Sequence, residues 1–190
     1  METVPYPVYP LTMHELETRC AAAVREVVDF PRPGIRFKDL SGLWGNPDLG
    51  KEIQNHMALR IRETLGTIDA VVAIESRGFL FGVGIAQALH VPFVAVRKAG
   101  KLPGPVWKAS YALEYGEDTV EMQMGALPMG ARVVVHDDVL ASGGTACAAA
   151  DLVRSEGGRV AGFAFILEIP GLGGREACEK VAPVVRPLLS

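Results

Sequence analysis

Two adjacent carboxylates follow an apolar run in the stretch VVVHDDVLASGGTACAAADLV, residues 133–153. Asp137 and Asp138 place like charges side by side, which is costly to bury unless a ligand or a metal ion uses them. The following turn contains Gly143 and Gly144, which let the backbone turn tightly and approach a ligand closely. The pattern therefore predicts a ligand site at this point of the chain.

The turn itself has the composition of a phosphate site. Ser142 and Thr145 supply hydroxyl groups, and the predicted helix behind them offers free backbone N–H groups at its positive end. The carboxylates upstream can accept hydrogen bonds from a sugar diol, or help to hold Mg²⁺ through water. A phosphate site next to a diol site fits a ribose 5-phosphate. The alternative for Asp137 and Asp138 is a solvated strand end.

These residues need strands and helices that carry them to one place. Continuous apolar runs predict buried strands, and alanine-rich or 3.6-periodic stretches predict the helices between them. Strands are expected at 69–74, 92–97, 131–136 and 159–169, and a hairpin over 111–123 with its turn at Gly116. Helices are expected at 11–28 with a Thr12–Glu15 capping box, at 47–65 with Asn46 as its cap, at 79–89 and at 145–157. The alternation predicts one α/β domain, residues 1–190, around a parallel sheet.

Ligands of open parallel sheets bind beyond the carboxyl ends of the strands. The segment AIESRGF places Glu75, Ser76 and Arg77 at one strand end, and AVRKAGK places Arg97, Lys98 and Lys101 at another. Cations and carboxylates are thus expected to meet along one edge of the sheet. For Arg77 a surface ion pair, and for Lys101 a solvated loop charge, are the alternatives.

The composition limits the classes of function. Of the 190 residues, 49% are hydrophobic, as expected of a globular protein, and the net charge of −3 predicts no nucleic-acid partner. No segment approaches the ~20 apolar residues of a membrane span, and the N-terminus lacks a signal-peptide pattern. The three cysteines form no CxxC pair, which argues against a zinc site or a disulfide framework. We therefore expect a cytoplasmic protein without membrane partners.

Other nucleotide motifs are absent or misplaced. No GxxxxGK[ST] sequence exists, so a Walker A loop is excluded. The stretch GVGIAQ, residues 82–87, begins like a dinucleotide fingerprint, but it lies inside a predicted helix, where glycines serve packing.

The stretch VVVHDDVLASGGT resembles the phosphoribosyl pyrophosphate (PRPP) motif of type I phosphoribosyltransferases. Three further segments are similar to the adenine phosphoribosyltransferase family: FPRPGIRFKDL (30–40), IESRGFLFG (74–82) and VRKAGKLPGPVWKASYALEYG (96–116). The resemblance covers roughly residues 27–180. It implies a Rossmann-like α/β fold with a parallel sheet, a small hood from residues 1–45 and a flexible catalytic loop. It also implies the reaction of adenine with PRPP to give AMP and pyrophosphate, Mg²⁺ as cofactor, and a homodimer.

The resemblance also implies a role for individual residues. Asp137 and Asp138 would hold the ribose hydroxyls, with Mg²⁺ on PRPP possible nearby but no metal ligand assigned to the protein. The PRPP phosphates would be bound by the following residues: Ser76, Arg77, Lys98, Lys101, Ala141, Ser142, Gly143, Gly144 and Thr145. Residues 100–113 would form a flexible lid with Ser110 and Tyr111 over PRPP, and Glu114, Arg77 and Lys101 would be catalytic, with Glu114 as the acid/base. Ile35, Arg36 and Phe37 would frame the adenine.

Some alternatives stay open at this point. Glu114 could be an exposed edge-strand residue and Phe37 a core residue, although its charged neighbours favour the rim of a site. The base could be guanine, hypoxanthine or xanthine, and a PRPP-binding regulator without turnover is a further alternative. Three positions depart from the family pattern: His136, Ser142 and Ala99 stand where an apolar residue, a threonine and, in some members, a cation are usual. His136 could tune the carboxylates or be a hydrogen-bonded strand-end histidine.

Overall fold

The computed structural model describes residues 12–113 and 116–190. These residues form six helices and nine strands, in the following order: α1 Met13–Ala23, β1 Arg25–Val28, β2 Arg36–Asp39, α2 Ser41–Trp44, α3 Pro47–Leu65, β3 Ala70–Ile74, α4 Arg77–Leu89, β4 Phe93–Lys98, β5 Val106–Leu113, β6 Gly116–Gln123, β7 Arg132–Leu140, α5 Gly144–Ser155, β8 Arg159–Glu168, α6 Gly174–Glu179, β9 Val184–Val185. The chain divides into two compact units, one ending at Ile53 and the other formed by Gln54–Ser190. The prediction of a single domain with a hood from residues 1–45 stays a prediction.

The larger unit is built on a seven-stranded sheet with the order β5-β6-β4-β3-β7-β8-β9. The pairs among β4, β3, β7, β8 and β9 are parallel, which confirms the α/β class and the parallel sheet. The hairpin β5–β6 is antiparallel and joins the sheet through an antiparallel pairing of β6 with β4. All five residues of β3 are buried, as a strand covered on both faces requires.

The strand that carries the carboxylates is longer than predicted. We expected it to end at His136, but β7 continues to Leu140 and pairs with β8 from Arg132↔Arg159 to Leu140↔Glu168. The reason is that β8 is itself ten residues long, so its backbone offers ladder partners beyond the apolar run. Asp137 and Asp138 therefore lie within a strand, where neighbouring side chains point to opposite faces of the sheet.

The predicted loop between the second strand and the hairpin is shorter than expected. The strand β5 begins at Val106, and it pairs with β6 in continuous register from Val106↔Gln123 to Leu113↔Gly116. The hairpin over 111–123 is confirmed, whereas the prediction of a loop through Ser110 was wrong. Cross-strand hydrogen bonding to β6 makes residues 106–110 a strand. The two prolines just before it, at 103 and 105, favour a loop in a reading of the sequence alone.

The smaller unit confirms the two predicted helix starts and corrects one helix end. Thr12 and Glu15 form the capping box, and the Asn46 side chain accepts a hydrogen bond from the Leu49 N–H at 3.1 Å. The helix expected over 11–28 ends at Ala23, and Arg25–Val28 is the strand β1, paired with β2. The β-branched residues of this stretch and ion pairs across the two strands favour the sheet over helix.

The glycines inside α4 serve packing, as predicted. A Cβ at Gly82 would lie 2.7 Å from the Ala73 Cβ, and one at Gly84 would overlap the Gln54 side chain. In the part of the chain that the structure describes, no helix has the length and apolarity needed to cross a membrane.

Candidate PRPP-binding site

The predicted site residues of the larger unit lie along one edge of its sheet. The strands β4, β3 and β7 are neighbours and parallel. Lys98 ends β4, Arg77 follows the end of β3, and the Asp137–Asp138 pair lies near the end of β7. The loop after β4 and the hairpin β5–β6 continue this edge on one side. The expectation that cations and carboxylates meet at one rim is therefore confirmed.

The turn after β7 encloses a cavity of about 80 Å³. Its lining contains Asp137 and the whole predicted phosphate turn, Ala141, Ser142, Gly143, Gly144 and Thr145. The turn leads directly into α5, whose first backbone N–H groups have no acceptor within the helix. A carboxylate, two hydroxyls and the positive end of a helix thus face one small space, which suits a phosphate beside a sugar hydroxyl.

Only glycine fits position 143. Gly143 has φ +80° and precedes the first residue of α5. A Cβ there would lie 3.0 Å from the Gly174 carbonyl oxygen and 3.3 Å from the Cys178 Sγ. The turn is thus held from behind by the segment that begins α6, which keeps its other side open toward the cavity.

Asp138 is buried and forms an ion pair with Arg77, which follows the end of the neighbouring strand β3. Its side chain is 3% exposed, and the Arg77 Nε lies 2.8 Å from its Oδ2. This Oδ2 accepts no hydrogen bond of good geometry from the described residues, so the contact with Arg77 is an ion pair with poor alignment. Arg77 is the first residue of α4, directly after the exposed Ser76.

Burial makes two full charges on the acidic pair unfavourable. Desolvation and the neighbouring Asp138 carboxylate raise the pKa of Asp137 well above its ordinary value. Desolvation also raises the pKa of Asp138, although the Arg77 guanidinium opposes this. The pair therefore gains from any ligand that brings hydrogen-bond donors or positive charge to it.

Glu75 holds two cations of the loop after β4. Its Oε2 accepts from Arg97 Nε at 3.0 Å, and its Oε1 pairs with Lys101 Nζ at 2.8 Å. Desolvation raises the pKa of Glu75, but the hydrogen bonds from Lys101 and Arg97 outweigh it, so the pKa lies below its ordinary value. The peptide bond between Glu75 and Ser76 is cis.

Lys98 and the predicted lid residues meet through a second acid. Asp118 Oδ2 lies 3.1 Å from Lys98 Nζ and accepts from the Tyr111 hydroxyl at 3.2 Å. Ser110, the other predicted lid residue, has its hydroxyl 3.0 Å from the Thr119 hydroxyl. Ser110 and Tyr111 thus lie in β5 and contact β6.

The three departures from the family pattern have structural accounts. His136 is buried within β7, with Nδ1 2.9 Å from the Ala164 carbonyl oxygen. It is hydrogen-bonded as expected, but it does not end the strand. Ser142 is exposed and keeps a hydroxyl at the cavity. Ala99 is exposed, and its N–H donates to the Thr119 carbonyl.

The residues predicted to frame adenine belong to the smaller unit, so that assignment stays a prediction. Ile35 is 40% exposed, and Arg36 begins β2 and forms an ion pair with Glu26. The Phe37 ring lies 5.1 Å from the Phe30 ring in an edge-to-face contact. Phe37 is half-buried, as expected of a residue at a rim rather than in a core.

Sequence reasoning placed Glu75 at the strand end beside Arg77 without giving it a role. It missed Asp118, since nothing in the sequence pairs Asp118 with Lys98. Glu114, the predicted acid/base, lies outside the described residues. Within 12–113 and 116–190, no three His, Cys, Asp or Glu side chains are grouped to hold a metal ion.

Known proteins resemble this chain in both sequence and fold. Residues 46–182 match the family model of the phosphoribosyl transferase domain. The adenine phosphoribosyltransferase of Caenorhabditis elegans is 52% identical over 153 residues, covering 80% of this chain and 82% of the relative. That of Sorangium cellulosum (strain So ce56) is 46% identical over 170 residues, covering 89% and 84%. The crystal structure of adenine phosphoribosyltransferase from Saccharomyces cerevisiae, complexed with D-2,5-dideoxy-2,5-imino-altritol 1,6-bisphosphate and adenine, superimposes with a TM-score of 0.88 at 40% identity. This superposition covers 93% of this chain and 99% of the yeast chain.

Proposed function

The chain belongs to the adenine phosphoribosyltransferase family, and on this premise we propose that it transfers the 5-phosphoribosyl group of PRPP to adenine, forming AMP and pyrophosphate. The observation that carries the proposal is the cavity shared by Asp137 and the turn from Ala141 to Thr145. It combines a phosphate site at a helix N-terminus with a carboxylate for a ribose hydroxyl.

The remaining charges suit the leaving group. In this reaction the bond between the anomeric carbon and a pyrophosphate oxygen breaks, and a bond from that carbon to N9 of adenine forms. The ribosyl centre becomes oxocarbenium-like while negative charge grows on pyrophosphate, so cations fixed near that group lower the barrier. Arg77 follows the end of β3, which is the neighbour of β7, and Lys98 and Lys101 lie at and after the end of β4, the next strand of the sheet. We assign these three cations to the pyrophosphate.

One proton must leave adenine as the new bond forms. We assign it to the Glu114 carboxylate, which follows the described part of β5 in sequence. A carboxylate is a suitable acceptor for this transfer. Ser110 and Tyr111 belong to the same hairpin, and closure of this hairpin over PRPP would exclude water that otherwise hydrolyses it.

We further propose that PRPP enters as its Mg²⁺ complex. The oxygen donors of Asp137 and Asp138 suit Mg²⁺, and the raised pKa values of both carboxyls favour a partner that brings positive charge. Because Asp138 already pairs with Arg77, contact through the ribose hydroxyls or through water fits these residues better than direct ligation. The metal ion supplies further charge neutralisation on the pyrophosphate.

Adenine as the base is supported by the names of the relatives and by the segment from Ile35 to Phe37. A homodimer and a cytoplasmic location are parts of the same proposal. The described cysteines are free, which suits a reducing compartment.

The test is turnover with PRPP, Mg²⁺ and each of adenine, guanine, hypoxanthine and xanthine, following nucleotide and pyrophosphate together. We expect AMP and pyrophosphate in equal amounts with adenine. Turnover only with an oxopurine would remove the adenine assignment and leave the PRPP site standing. No turnover with any base would refute the enzyme. Size-exclusion chromatography with light scattering tests the homodimer, and a monomeric mass would remove it.

A further inference from the structure

Asp118 has no role in the function proposed so far, yet it joins three elements of the rim. Its carboxylate lies on β6, directly opposite Tyr111 of β5. Oδ2 lies 3.1 Å from Lys98 Nζ at the end of β4 and 3.2 Å from the Tyr111 hydroxyl, which donates to it. Oδ1 accepts from the Thr119 N–H at 2.8 Å, which fixes the carboxylate plane.

Tyr111 carries the connection onward to the phosphate turn. A Cβ at Gly144 would lie 3.5 Å from the Tyr111 Cδ2, so the ring packs directly against the first residue of α5. Contacts therefore run without a break from Lys98 through Asp118 and Tyr111 to Gly144 of the phosphate turn.

The charges support the same connection. The hydrogen bonds from Lys98 and from the Thr119 N–H lower the pKa of Asp118, so the carboxylate is ionised at neutral pH. The hydrogen bond to Asp118 in turn raises the pKa of Lys98. Lys98 is 56% exposed, so without Asp118 its long side chain would sample many rotamers in solvent.

We propose that Asp118 is a positioning residue for the phosphoribosyl donor: its carboxylate fixes the Lys98 ammonium at the pyrophosphate side and, through Tyr111, fixes the β5–β6 hairpin against Gly144 of the phosphate turn. This inference rests on the proposed function, because Lys98 and the turn that contains Gly144 are assigned to the two phosphate ends of PRPP. Asp118 acts only through these groups and touches no substrate atom.

Asp118→Ala removes one acceptor and one counter-charge from this connection. An exposed ion pair and a half-buried hydrogen bond together predict a ~5- to 30-fold rise in KM for PRPP. The KM for adenine should change by less than ~2-fold, and kcat should fall by less than the KM for PRPP rises, because Lys98 is one of three cations assigned to the pyrophosphate. Asp118→Asn keeps an acceptor for Tyr111 and removes only the negative charge that pairs with Lys98, so the KM for PRPP should rise less than in Asp118→Ala. Glu117→Ala, an exposed neighbour on the same strand, is the matched control and should behave as wild type.

A double-mutant cycle separates positioning from a general loss of structure. In a Tyr111→Phe background the hydrogen bond from the Tyr111 hydroxyl to Asp118 is already gone, so Asp118→Ala should raise the KM for PRPP by clearly less than in wild type. Full additivity would overturn the proposal. An unchanged KM for PRPP in Asp118→Ala would overturn the proposal as well. So would a fall in kcat with equal rises in both KM values and a lowered Tm.

Calorimetric titration with PRPP and MgCl₂, without base, distinguishes failure of this inference from failure of the proposed function. If wild type binds PRPP but makes no AMP, the transferase proposal fails, and the ratio of Kd values for wild type and Asp118→Ala still decides the role of Asp118. Equal Kd values would refute the positioning role of Asp118 and leave the transferase proposal standing. Absence of PRPP binding by wild type would refute both.

Discussion

Replacing His136 by asparagine is expected to reduce the loss of stability that the protein suffers between pH 7.5 and pH 4.5. The His136 side chain is fully buried in β7. Its Nδ1 lies 2.9 Å from the Ala164 carbonyl oxygen, which can only accept, so Nδ1 carries the proton and Nε2 has a lone pair. Nε2 has no hydrogen-bond partner among the described residues, so protonation there would create a buried cation without an acceptor.

The size of this effect follows from the pKa of His136. Burial lowers that pKa from 6.5 to about 4, although the Ala164 carbonyl opposes the shift. The unfolded chain therefore takes up a proton at this residue near pH 6.5 and the folded protein only near pH 4, so stability falls as the pH drops through this window. At ~1.36 kcal/mol per pH unit the loss reaches at most ~3.4 kcal/mol, and ~2.5 kcal/mol of it is present at pH 4.5.

Urea denaturation at several pH values measures this contribution. His136→Asn keeps a donor near the Nδ1 position and removes the titration, so its cavity cost is the same at every pH. The free energy of unfolding of wild type should fall ~2.5 kcal/mol further than that of the variant between pH 7.5 and pH 4.5. His90→Asn is the control: His90 is exposed, and its left-handed backbone at the end of α4 accepts asparagine. Parallel pH curves for wild type and His136→Asn would refute the reasoning.

Two further substitutions test the cavity. Asp137→Asn should raise the Tm of the ligand-free protein at pH 7.5, because desolvation and Asp138 raise the pKa of Asp137 and make its charge costly. It should also abolish PRPP binding, because this carboxylate is assigned to a ribose hydroxyl. Calorimetry and thermal scans check both effects, and a lowered Tm with PRPP binding intact would contradict the prediction. Gly143→Ala should weaken PRPP binding more than ~10-fold, since a methyl at φ +80° would also meet the Gly174 oxygen at 3.0 Å. Gly125→Ala, with φ +78° and open space around it, should leave PRPP affinity unchanged.

The strands and the site edge could be predicted from sequence because local patterns determine them. The apolar runs at 70–74 and 133–135 are buried on both faces, and the small-residue turn at 142–145 can only follow a strand and precede a helix. The order of the motifs along the chain then assigned each turn to the predicted strand that precedes it. The prediction failed at the end of β7, at the start of β5 and at Arg25–Val28, which is the strand β1 instead of the end of a helix. Each of these depends on a partner strand, which sequence periodicity does not contain.

The pairing of the rim acids with their cations could not be predicted for a similar reason. Glu75 reaches Lys101, 26 positions along the chain, and Asp118 reaches Lys98 across the β4–β6 pairing. Such pairs exist only once the sheet order is known. Cations at strand ends and the carboxylates of Asp138 and Glu75 could be recognised from the sequence, whereas which acid holds which cation could not.

These carboxylates explain how a chain of net charge −3 keeps a site for a polyanion ready without its ligand. Each cation assigned to pyrophosphate has an acid partner within the chain, as follows: Arg77 with Asp138, Lys98 with Asp118, Lys101 with Glu75. Two of the acids lie within strands, and the third follows the end of β3 directly, so rigid backbone sets where the cationic groups wait. PRPP would then bind to cations that the internal acids already hold in place, and the cations would need neither to be gathered from solvent nor to be held against their mutual repulsion. PRPP affinity would depend on how firmly each internal acid holds its cation in position, which is the quantity that the Asp118 variants measure.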